Sequence, residues 1–223
     1  MEPRYARNIP ALTEEECALL RQKRVLVVGC GGLGGHIIDQ LSRIGIGSLR
    51  VVDGDVFELS NLNRQLLSDV PHLGISKVKA AADHVVRVNP DVSVEAVEEF
   101  LTGSNAAALL AGCDVVMDAL DNIQSRKILA AACETAKIPY IYGAISGWVA
   151  QAAVSMPGDH LIDTLYPEKI EIKDKSVLSF TPSLCASMQV ALCVKLLVGR
   201  GVETGTIYYF DLLNQEFETI PMV

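Results

Sequence analysis

The sequence lacks several features that would place it in other classes of protein. No apolar run reaches the ~20 residues that a helix needs to cross a bilayer. The first residues, Met1 to Arg4, contain no apolar core of a signal peptide. The net charge of −8 leaves no general excess of Lys and Arg, which non-specific nucleic-acid binding requires. We therefore expect a cytoplasmic protein that does not bind membranes, and the acidic balance argues against nucleic acid as a partner.

Cysteine pairs with metal-binding spacing are also missing. The chain has 6 cysteines and none of them forms a C-x-x-C pair, so the sequence gives no sign of a zinc site. A cytosolic setting disfavours disulfides. Cys113 and Cys133 lie among aliphatic residues and are expected to be buried small hydrophobes. None of the 4 histidines stands in a metal-binding or catalytic pattern.

No linker rich in Pro, Gly or Ser, no repeat and no low-complexity segment divides the chain, so residues 1–223 are expected to form one domain. Half the residues are hydrophobic and the mean hydropathy is +0.30, which suits a parallel sheet buried on both faces. Predicted strands alternate with helices until about residue 145, and the chain then ends in a strand, a long helix and a hairpin. The fold class predicted is α/β, a Rossmann-like, mainly parallel sheet flanked by helices, with antiparallel strands at the C-terminal end. The predicted strands are 25–28, 51–53, 92–97, 114–118, 139–145, 148–156, 206–212 and 216–220, and the predicted helices are 13–22, 35–44, 74–89, 102–111, 122–137 and 182–198.

A glycine-rich turn follows the first predicted strand. Gly29, Gly31 and Gly34 have G-x-G-x-x-G spacing, which lets a phosphate approach the amides at a helix N-terminus. Asp53 lies about 20 residues beyond the loop, where an acid can bind a ribose hydroxyl. The loop alone indicates a nucleotide, and a dinucleotide redox cofactor or a packing turn without a ligand stays possible at this point.

Charged residues follow the ends of the predicted strands, where ligands bind in parallel α/β sheets. Hydride transfer needs no Arg, Lys and metal-binding Asp around the phosphates. Nucleotidyl transfer from ATP does, because cations neutralise the charge on the transferring phosphates and an Asp holds Mg²⁺. The residues concerned are Asp53, Asp55, Asn61, Arg64, Gln65, Lys77, Asp118 and Asp121.

Five motifs in order resemble one known family. The chain is similar to the ThiF/MoeB/HesA adenylyltransferases, which are relatives of ubiquitin-activating enzymes, from about Arg4 to Ile220. The resemblance implies that a small ubiquitin-like sulfur-carrier protein ending in Gly-Gly offers its terminal carboxylate to the α-phosphate of Mg-ATP, releasing pyrophosphate. The motifs are Gly29-Cys-Gly-Gly-Leu-Gly34, Asp53-Gly-Asp55, Ser60-Asn-Leu-Asn-Arg-Gln65, Gly74-Ile-Ser-Lys77 and Asp118-Ala-Leu-Asp-Asn122.

The same resemblance implies roles for individual residues. Arg64 and Lys77 would contact the phosphates, Asp121 would hold Mg²⁺ and orient the reacting groups, and Arg7 would reach the triphosphate of the neighbouring subunit in a homodimer. The remaining nucleotide-binding residues would be Gly29, Gly31, Gly32, Gly34, Asp53, Asp55, Asn61 and Gln65. Arg126 is expected to lie on a helix surface.

The chain departs from the family in its cysteines. Many members carry two C-x-x-C zinc pairs, but residues 161–167 contain no cysteine, so no zinc is expected. A loop cysteine that some members use is absent from residues 168–181. Cys185 and Cys193 are expected to pack in a helix, which leaves adenylation alone as the implied chemistry. The polar loop 157–181 is expected to close over the carrier tail.

Three other functions compete with adenylation of a carrier. A ThiF-like tRNA threonylcarbamoyladenosine dehydratase shares the glycine, Asn-Arg-Gln and Lys motifs, although the acidic chain argues against tRNA. An NAD-dependent oxidoreductase does not explain Arg64, Lys77 and Asp121. A non-catalytic scaffold would be marked by loss of these residues, and all three are present. The sequence does not identify the carrier, the pathway or the final sulfur acceptor.

Overall fold

The computed structural model describes residues 3–167 and 176–222. Across these ranges the chain forms one eight-stranded sheet with α-helices on both faces. The strands are β1 Arg24–Val28, β2 Ser48–Val52, β3 Ser93–Val97, β4 Val115–Asp118, β5 Tyr140–Ser146, β6 Val149–Ser155, β7 Thr206–Asp211 and β8 Glu216–Pro221. The helices are α1 Glu14–Leu20, α2 Gly32–Ile44, α3 Lys77–Val88, α4 Ala106–Leu110, α5 Ile123–Ala136, α6 Leu161–Leu165 and α7 Phe180–Leu197.

The strand order is β3-β2-β1-β4-β5-β6-β7-β8. The pairs from β3 to β5 are parallel, and those from β5 to β8 are antiparallel. The predicted fold class, a mainly parallel Rossmann-like sheet that ends in antiparallel strands, is therefore confirmed. The crossover helices hold the parallel strands in register, so the carboxyl ends of β1 to β5 meet at one edge of the sheet.

Two hydrophobic cores lie on opposite faces of the sheet. One core packs α1, α2, α3 and α7, and the other packs α4, α5 and α6. Strand β1 contributes to both, because Val25 and Val27 face the first core while Leu26 and Val28 face the second. This alternation follows from the two-residue period of a strand, and it explains why a run of four aliphatic residues forms a strand here.

All the predicted strands and helices are present, some with shorter and some with longer bounds. Strand β2 begins at Ser48 instead of residue 51, and α2 begins at Gly32 instead of Gly35. Helix α3 begins at Lys77 instead of Gly74, and α4 covers Ala106–Leu110 instead of 102–111. The prediction that 157–181 is a loop throughout was wrong, because α6 forms there and buries Leu161 and Ile162 against the second core. Residues 168–175 of that predicted loop lie outside the described residues.

Helix α7 is the long apolar helix of the first core. It has 18 residues with a mean hydropathy of 1.4, which is sufficient in length and composition to cross a membrane, and 56% of it is buried within the fold. Thr181, Cys185, Gln189 and Cys193 are among its fully buried residues. A helix that packs against a sheet on one side and another helix on the other is apolar all round, as a membrane-spanning helix is.

The N-terminus of α1 offers a test of local structure. Thr13 Oγ1 accepts from Glu16 N at 3.1 Å and Thr13 N donates to Glu16 Oε2 at 2.8 Å, the capping box expected from Thr13-Glu-Glu-Glu16. Thr13→Ala is expected to lower the free energy of unfolding by about 1 kcal/mol in urea denaturation. Ser179, the N-cap of α7, accepts no capping hydrogen bond, so Ser179→Ala should change it by less than about 0.5 kcal/mol. Equal losses in the two variants would contradict the assignment of the cap.

Candidate active site

The glycine-rich turn joins β1 to α2 at the edge of the sheet where the parallel strands end. Gly29 has a φ of +100°, and a Cβ at this position would lie 2.5 Å from the carbonyl oxygen of Ala119, which follows β4. Only glycine fits this left-handed conformation and close approach. The N-cap residue Gly31 has no side chain to accept from the first amides of α2. Those amides are therefore available to an anion such as a phosphate.

A cavity of about 390 Å³ opens beside this turn. Its size is within the range of sites that bind small molecules. It runs along the ends of β3, β2, β1, β4 and β5, and most of the predicted site residues line it. These are Gly29, Gly31, Gly32, Asp53, Asp55, Arg64, Gln65, Lys77 and Asp121.

The two acids after β2 have different surroundings. Asp53 Oδ2 accepts from Cys30 N at 2.7 Å, and its Oδ1 accepts from Asp55 N at 2.9 Å. Asp53 therefore fixes the glycine turn to the end of β2. The Asp55 carboxylate is more exposed and lies 3.1 Å from Lys77 Nζ. Both acids face the cavity, and their predicted contact with ribose stays a prediction.

Lys77 is the first residue of α3 and is only 7% exposed. A cation at this end of a helix is unfavourable with respect to the helix dipole. The ion pair with Asp55 compensates, and Lys77 N also donates to Asp55 O at 3.0 Å. A nearly buried ammonium at the wall of the cavity interacts more strongly with an added anion than a solvated one.

Arg64 and Gln65 come from the connection between β2 and α3. Arg64 Nη1 donates to Ser60 O at 3.0 Å, and its aliphatic part lies over Gly32 at the start of α2. Gln65 is buried next to Gly31, and its Oε1 atom has no hydrogen-bond partner among the residues that the structure describes. Both side chains thus stand at the glycine turn, one charged and one with an unused acceptor.

Three of the nucleotide-binding residues implied by the family resemblance do not line the cavity. Asn61 is buried below it, where its Oδ1 accepts from Glu58 N at 2.9 Å. Gly34 packs within α2, where a Cβ would lie 1.8 Å from Gly29 O. The segment containing Arg7 lies at the other end of α2, because Asn8 Nδ2 donates to Ile44 O at 3.5 Å. Helix α2 has 13 residues and is therefore roughly 20 Å long, so Arg7 is far from the glycine turn of its own chain.

Asp121 is exposed and faces the cavity from the turn after β4. Asn122 is the N-cap of α5 and accepts from Ser125 N at 2.8 Å. Asn122 Nδ2 also donates to Asp121 Oδ1 at 3.3 Å. Among the residues described, no group of three or more His, Cys, Asp or Glu could hold a metal by itself. One carboxylate supplemented by substrate phosphates is a typical Mg²⁺ site, and Asp121 fits that donor set.

The expectation that Arg126 lies on a helix surface was wrong. It is 5% exposed, and its Nη1 atom donates to Asp118 Oδ2 at 2.7 Å and to Gly143 O at 2.6 Å. Its Nη2 atom donates to Leu120 O, and its guanidinium lies 5.1 Å from the centre of the Tyr142 ring. A cation near the N-terminus of a helix is unfavourable with respect to the helix dipole. The position of Arg126 near the start of a predicted helix could therefore have indicated that it needs an anionic partner.

Asp118, at the end of β4, is fully buried. Burial raises the pKa of its carboxyl group, and the Arg126 guanidinium and the Tyr140 hydroxyl oppose that rise. Leu120 N donates to Asp118 Oδ1 at 2.9 Å. The pair therefore holds both the N–H and the C=O of Leu120, the residue next to Asp121, and so fixes the turn that presents Asp121 to the cavity.

All six cysteines are buried with free thiols, as expected for Cys113 and Cys133. Cys185 and Cys193 lie inside α7, where burial raises the pKa of each thiol to about 12. Cys30 in the glycine turn is also fully buried, and burial raises the pKa of its thiol. A buried thiol with a raised pKa is a poor nucleophile.

Comparisons with known proteins identify relatives of this chain that agree with one another. Residues 5–223 match the ThiF family. The chain is 38% identical to the SAMP-activating enzyme E1 of Haloferax volcanii, over 98% of the chain and 84% of that protein. It is 32% identical to the molybdopterin-synthase adenylyltransferase of Escherichia coli, over 92% of the chain and 85% of that protein. The structure of E. coli MccB with ATP is similar in fold, with a TM-score of 0.83 and 20% identity over 100% of this chain and 71% of MccB.

The Asp118–Arg126 pair predicts a stability defect that depends on charge. Arg126→Met leaves a buried carboxylate without its partner and should lower the free energy of unfolding by about 3–5 kcal/mol. Because the lone carboxyl has a raised pKa in the folded state, the native state binds its proton more tightly than the unfolded state, and the deficit should shrink as the pH falls from 8 towards 5. Urea denaturation at several pH values measures both effects.

The double variant Arg126→Met/Asp118→Asn is the control for this experiment. It has no unpaired charge, so it should regain part of the stability and lose the pH-dependent component. A double variant as unstable as Arg126→Met at every pH would show that lost packing, and not the unpaired charge, causes the defect.

Proposed function

This chain belongs to the ThiF family, and we propose that it is an ATP-dependent adenylyltransferase that activates the C-terminal glycine carboxylate of a small ubiquitin-like sulfur-carrier protein. Its relatives are named as an activating enzyme of SAMP and as the adenylyltransferase of molybdopterin synthase. Both are at least 30% identical to it over nearly the whole chain. The proposed use of ATP agrees with the cytoplasmic location expected from the sequence.

One observation carries the proposal. A single cavity brings together a glycine turn at a helix N-terminus, the two cations Arg64 and Lys77, and the carboxylate of Asp121. An oxidoreductase site has no need of two cations and a metal-binding acid around the phosphates of its cofactor. A site that transfers an adenylyl group needs all of these parts, because charge increases on the leaving pyrophosphate.

The proposed reaction is an in-line displacement at the α-phosphorus of ATP. A carboxylate oxygen of the carrier's terminal glycine forms a bond to that phosphorus. The bond from the α-phosphorus to the bridging oxygen breaks, and pyrophosphate leaves with its electron pair. An α-carboxyl group has a pKa of about 3.5, so the nucleophile is already ionised and no general base is required. Positioning and charge stabilisation supply the rate.

The residues divide this work by their positions. The free amides of α2, with Arg64 and Lys77, would bind the phosphates, and Asp53 or Asp55 would bind the ribose. Asp121 would hold Mg²⁺, which neutralises phosphate charge when bound. Lys77 is suited to stabilising developing charge because it is nearly buried and an ion pair holds it in place.

The carrier tail would enter at the far end of the cavity, beyond Asp121. Among the residues that the structure describes, the uncharged side chains of Ala144, Ile145, Tyr166 and Val177 line this end, together with the buried Arg126. A Gly-Gly terminus has no side chains to place and can approach the α-phosphate closely. The tRNA dehydratase remains the alternative if no carrier supports the reaction.

Arg7 supports the proposal of a homodimer. Arg7 belongs to an N-terminal segment that is tied to its own chain at the far end of α2, where Asn8 binds Ile44 O. If Arg7 contacts a triphosphate, as the family resemblance implies, it must reach the site of a second subunit.

The first test is carrier-dependent exchange of ATP with radiolabelled pyrophosphate in the presence of Mg²⁺. The wild-type chain should catalyse exchange with a carrier that ends in Gly-Gly and not with one that lacks the terminal glycine. Arg64→Ala, Lys77→Ala and Asp121→Ala should each reduce exchange by about 10²–10³-fold, as loss of a charge-stabilising group does elsewhere. Removing Mg²⁺ with a chelator should abolish it.

Lys79→Ala is the matched control for Lys77→Ala. Lys79 lies one half-turn along α3, is exposed and pairs with Glu98 at 2.8 Å, so its loss should leave exchange unchanged. ATP binding without exchange for every carrier tested would favour the dehydratase or the scaffold. Tight binding of NAD without binding of ATP would overturn the proposal.

The second test mixes two inactive subunits. If Arg7 acts on the neighbouring site, a heterodimer of Arg7→Ala and Asp121→Ala chains contains one site with both wild-type residues. Refolding the two variants together should then restore exchange, whereas each variant alone should be inactive. Arg64→Ala mixed with Asp121→Ala provides the comparison, because both residues line the cavity of one chain, so this mixture contains no complete site and should stay inactive. No gain in the Arg7 mixture would show that Arg7 does not act across subunits.

A further inference from the structure

Phe100 is an exposed aromatic residue at one end of the cavity. Strand β3 is parallel to β2, with Val97 opposite Val52, so the residues after β3 emerge beside Asp53 and Asp55. Phe100 lines the cavity there together with Leu101. Phe100 is 64% exposed, whereas Leu101 is 9% exposed and belongs to the second core.

The position of Phe100 is fixed on both sides. Asn105 Nδ2 donates to Phe100 O at 2.9 Å and to Glu99 Oε2 at 3.0 Å, which ties the backbone down. The ring lies against Gly54, where a Cβ would be 2.7 Å from two of its carbon atoms. The ring is therefore a large apolar surface that is held in place at the cavity wall and left open to solvent.

The strand order fixes the order in which the candidate binding residues follow one another along the cavity. Starting at β3, the strand ends carry Phe100, then Asp53 and Asp55, then the glycine turn, then Asp121. In the proposed function the ribose would bind at the end of β2, the phosphates at the glycine turn after β1, and Mg²⁺ at Asp121 after β4. The base of a nucleotide is attached to the ribose on the side away from the phosphates, so it extends towards β3.

We propose that Phe100 is the stacking wall of the base subsite, and that the purine ring of ATP covers its exposed face beside Leu101. This inference rests on the proposed function, because it takes the bound molecule to be ATP. A purine offers a flat π surface to an aromatic ring, and the stacking is independent of hydrogen bonds to the base. Gly54 belongs to the same subsite, because only a residue without a side chain leaves room for the ring.

The test compares ATP with a ligand that has no base. Equilibrium binding of ATP and of inorganic tripolyphosphate is measured by calorimetry on the full chain. Phe100→Ala should weaken ATP binding about tenfold, as loss of one stacked aromatic does elsewhere, and leave tripolyphosphate binding unchanged. Phe100→Trp should bind ATP at least as tightly as the wild type. Phe217→Ala is the matched control, because Phe217 is 56% exposed on β8 and is not part of the cavity lining.

Gly54→Ala adds a second, independent variant. Its methyl group should displace the ring and weaken ATP binding in the wild type, and it should have no further effect in the Phe100→Ala background. Unchanged ATP affinity in Phe100→Ala, or an equal loss for ATP and tripolyphosphate, would overturn the inference. If pyrophosphate exchange is normal, that failure leaves the proposed function intact. If ATP binding depends on Phe100 but no exchange occurs with any carrier, the proposed function is overturned and the inference about Phe100 stands.

Discussion

The buried contact between Arg126 and Asp118 joins the two halves of the sheet. Arg126 extends from α5 to the end of β4 and to the Gly143 carbonyl of β5, where the parallel half meets the antiparallel half. From the other face, Gln189 Nε2 donates to Asp118 O at 2.8 Å. A buried ion pair is favourable only where hydrogen bonds satisfy it. Here they do, and the same bonds hold the turn that carries Asp121.

Because that turn is fixed, the strand order determines how substrates can lie. Each strand end from β3 to β5 contributes one group of residues to the cavity wall, and neighbouring parallel strands are about 4.8 Å apart. In the proposed function, a nucleotide laid across these ends would span from the Phe100 ring after β3 to the Asp121 carboxylate after β4. The end of β5 remains for a second substrate. An ordered row of sites is what a reaction between ATP and a protein terminus requires.

Local signals in the sequence predicted the parts of this structure that depend on neighbouring residues. The capping box at Thr13, the glycine turn and the alternation of strands and helices are all encoded within a few residues of where they occur. Arg126 was misplaced because its partners, Asp118 and Gly143, lie on two other elements. Helix α6 was missed because a short amphipathic turn becomes stable only by burial against a core that forms from distant residues.

The buried thiols limit the chemistry that can come after adenylation. A thioester or acyl-disulfide with the carrier would need a thiolate close to the cavity, yet every one of the six cysteines is buried, and burial raises the pKa of Cys185 and Cys193 to about 12. Near neutral pH such a thiol is almost entirely protonated and its sulfur cannot attack. If the chain makes an acyl-adenylate, its own thiols are therefore poorly suited to consume it, and we expect a nucleophile from another molecule to do so. The mixed anhydride must accordingly survive in the cavity until that molecule arrives, because water would hydrolyse it.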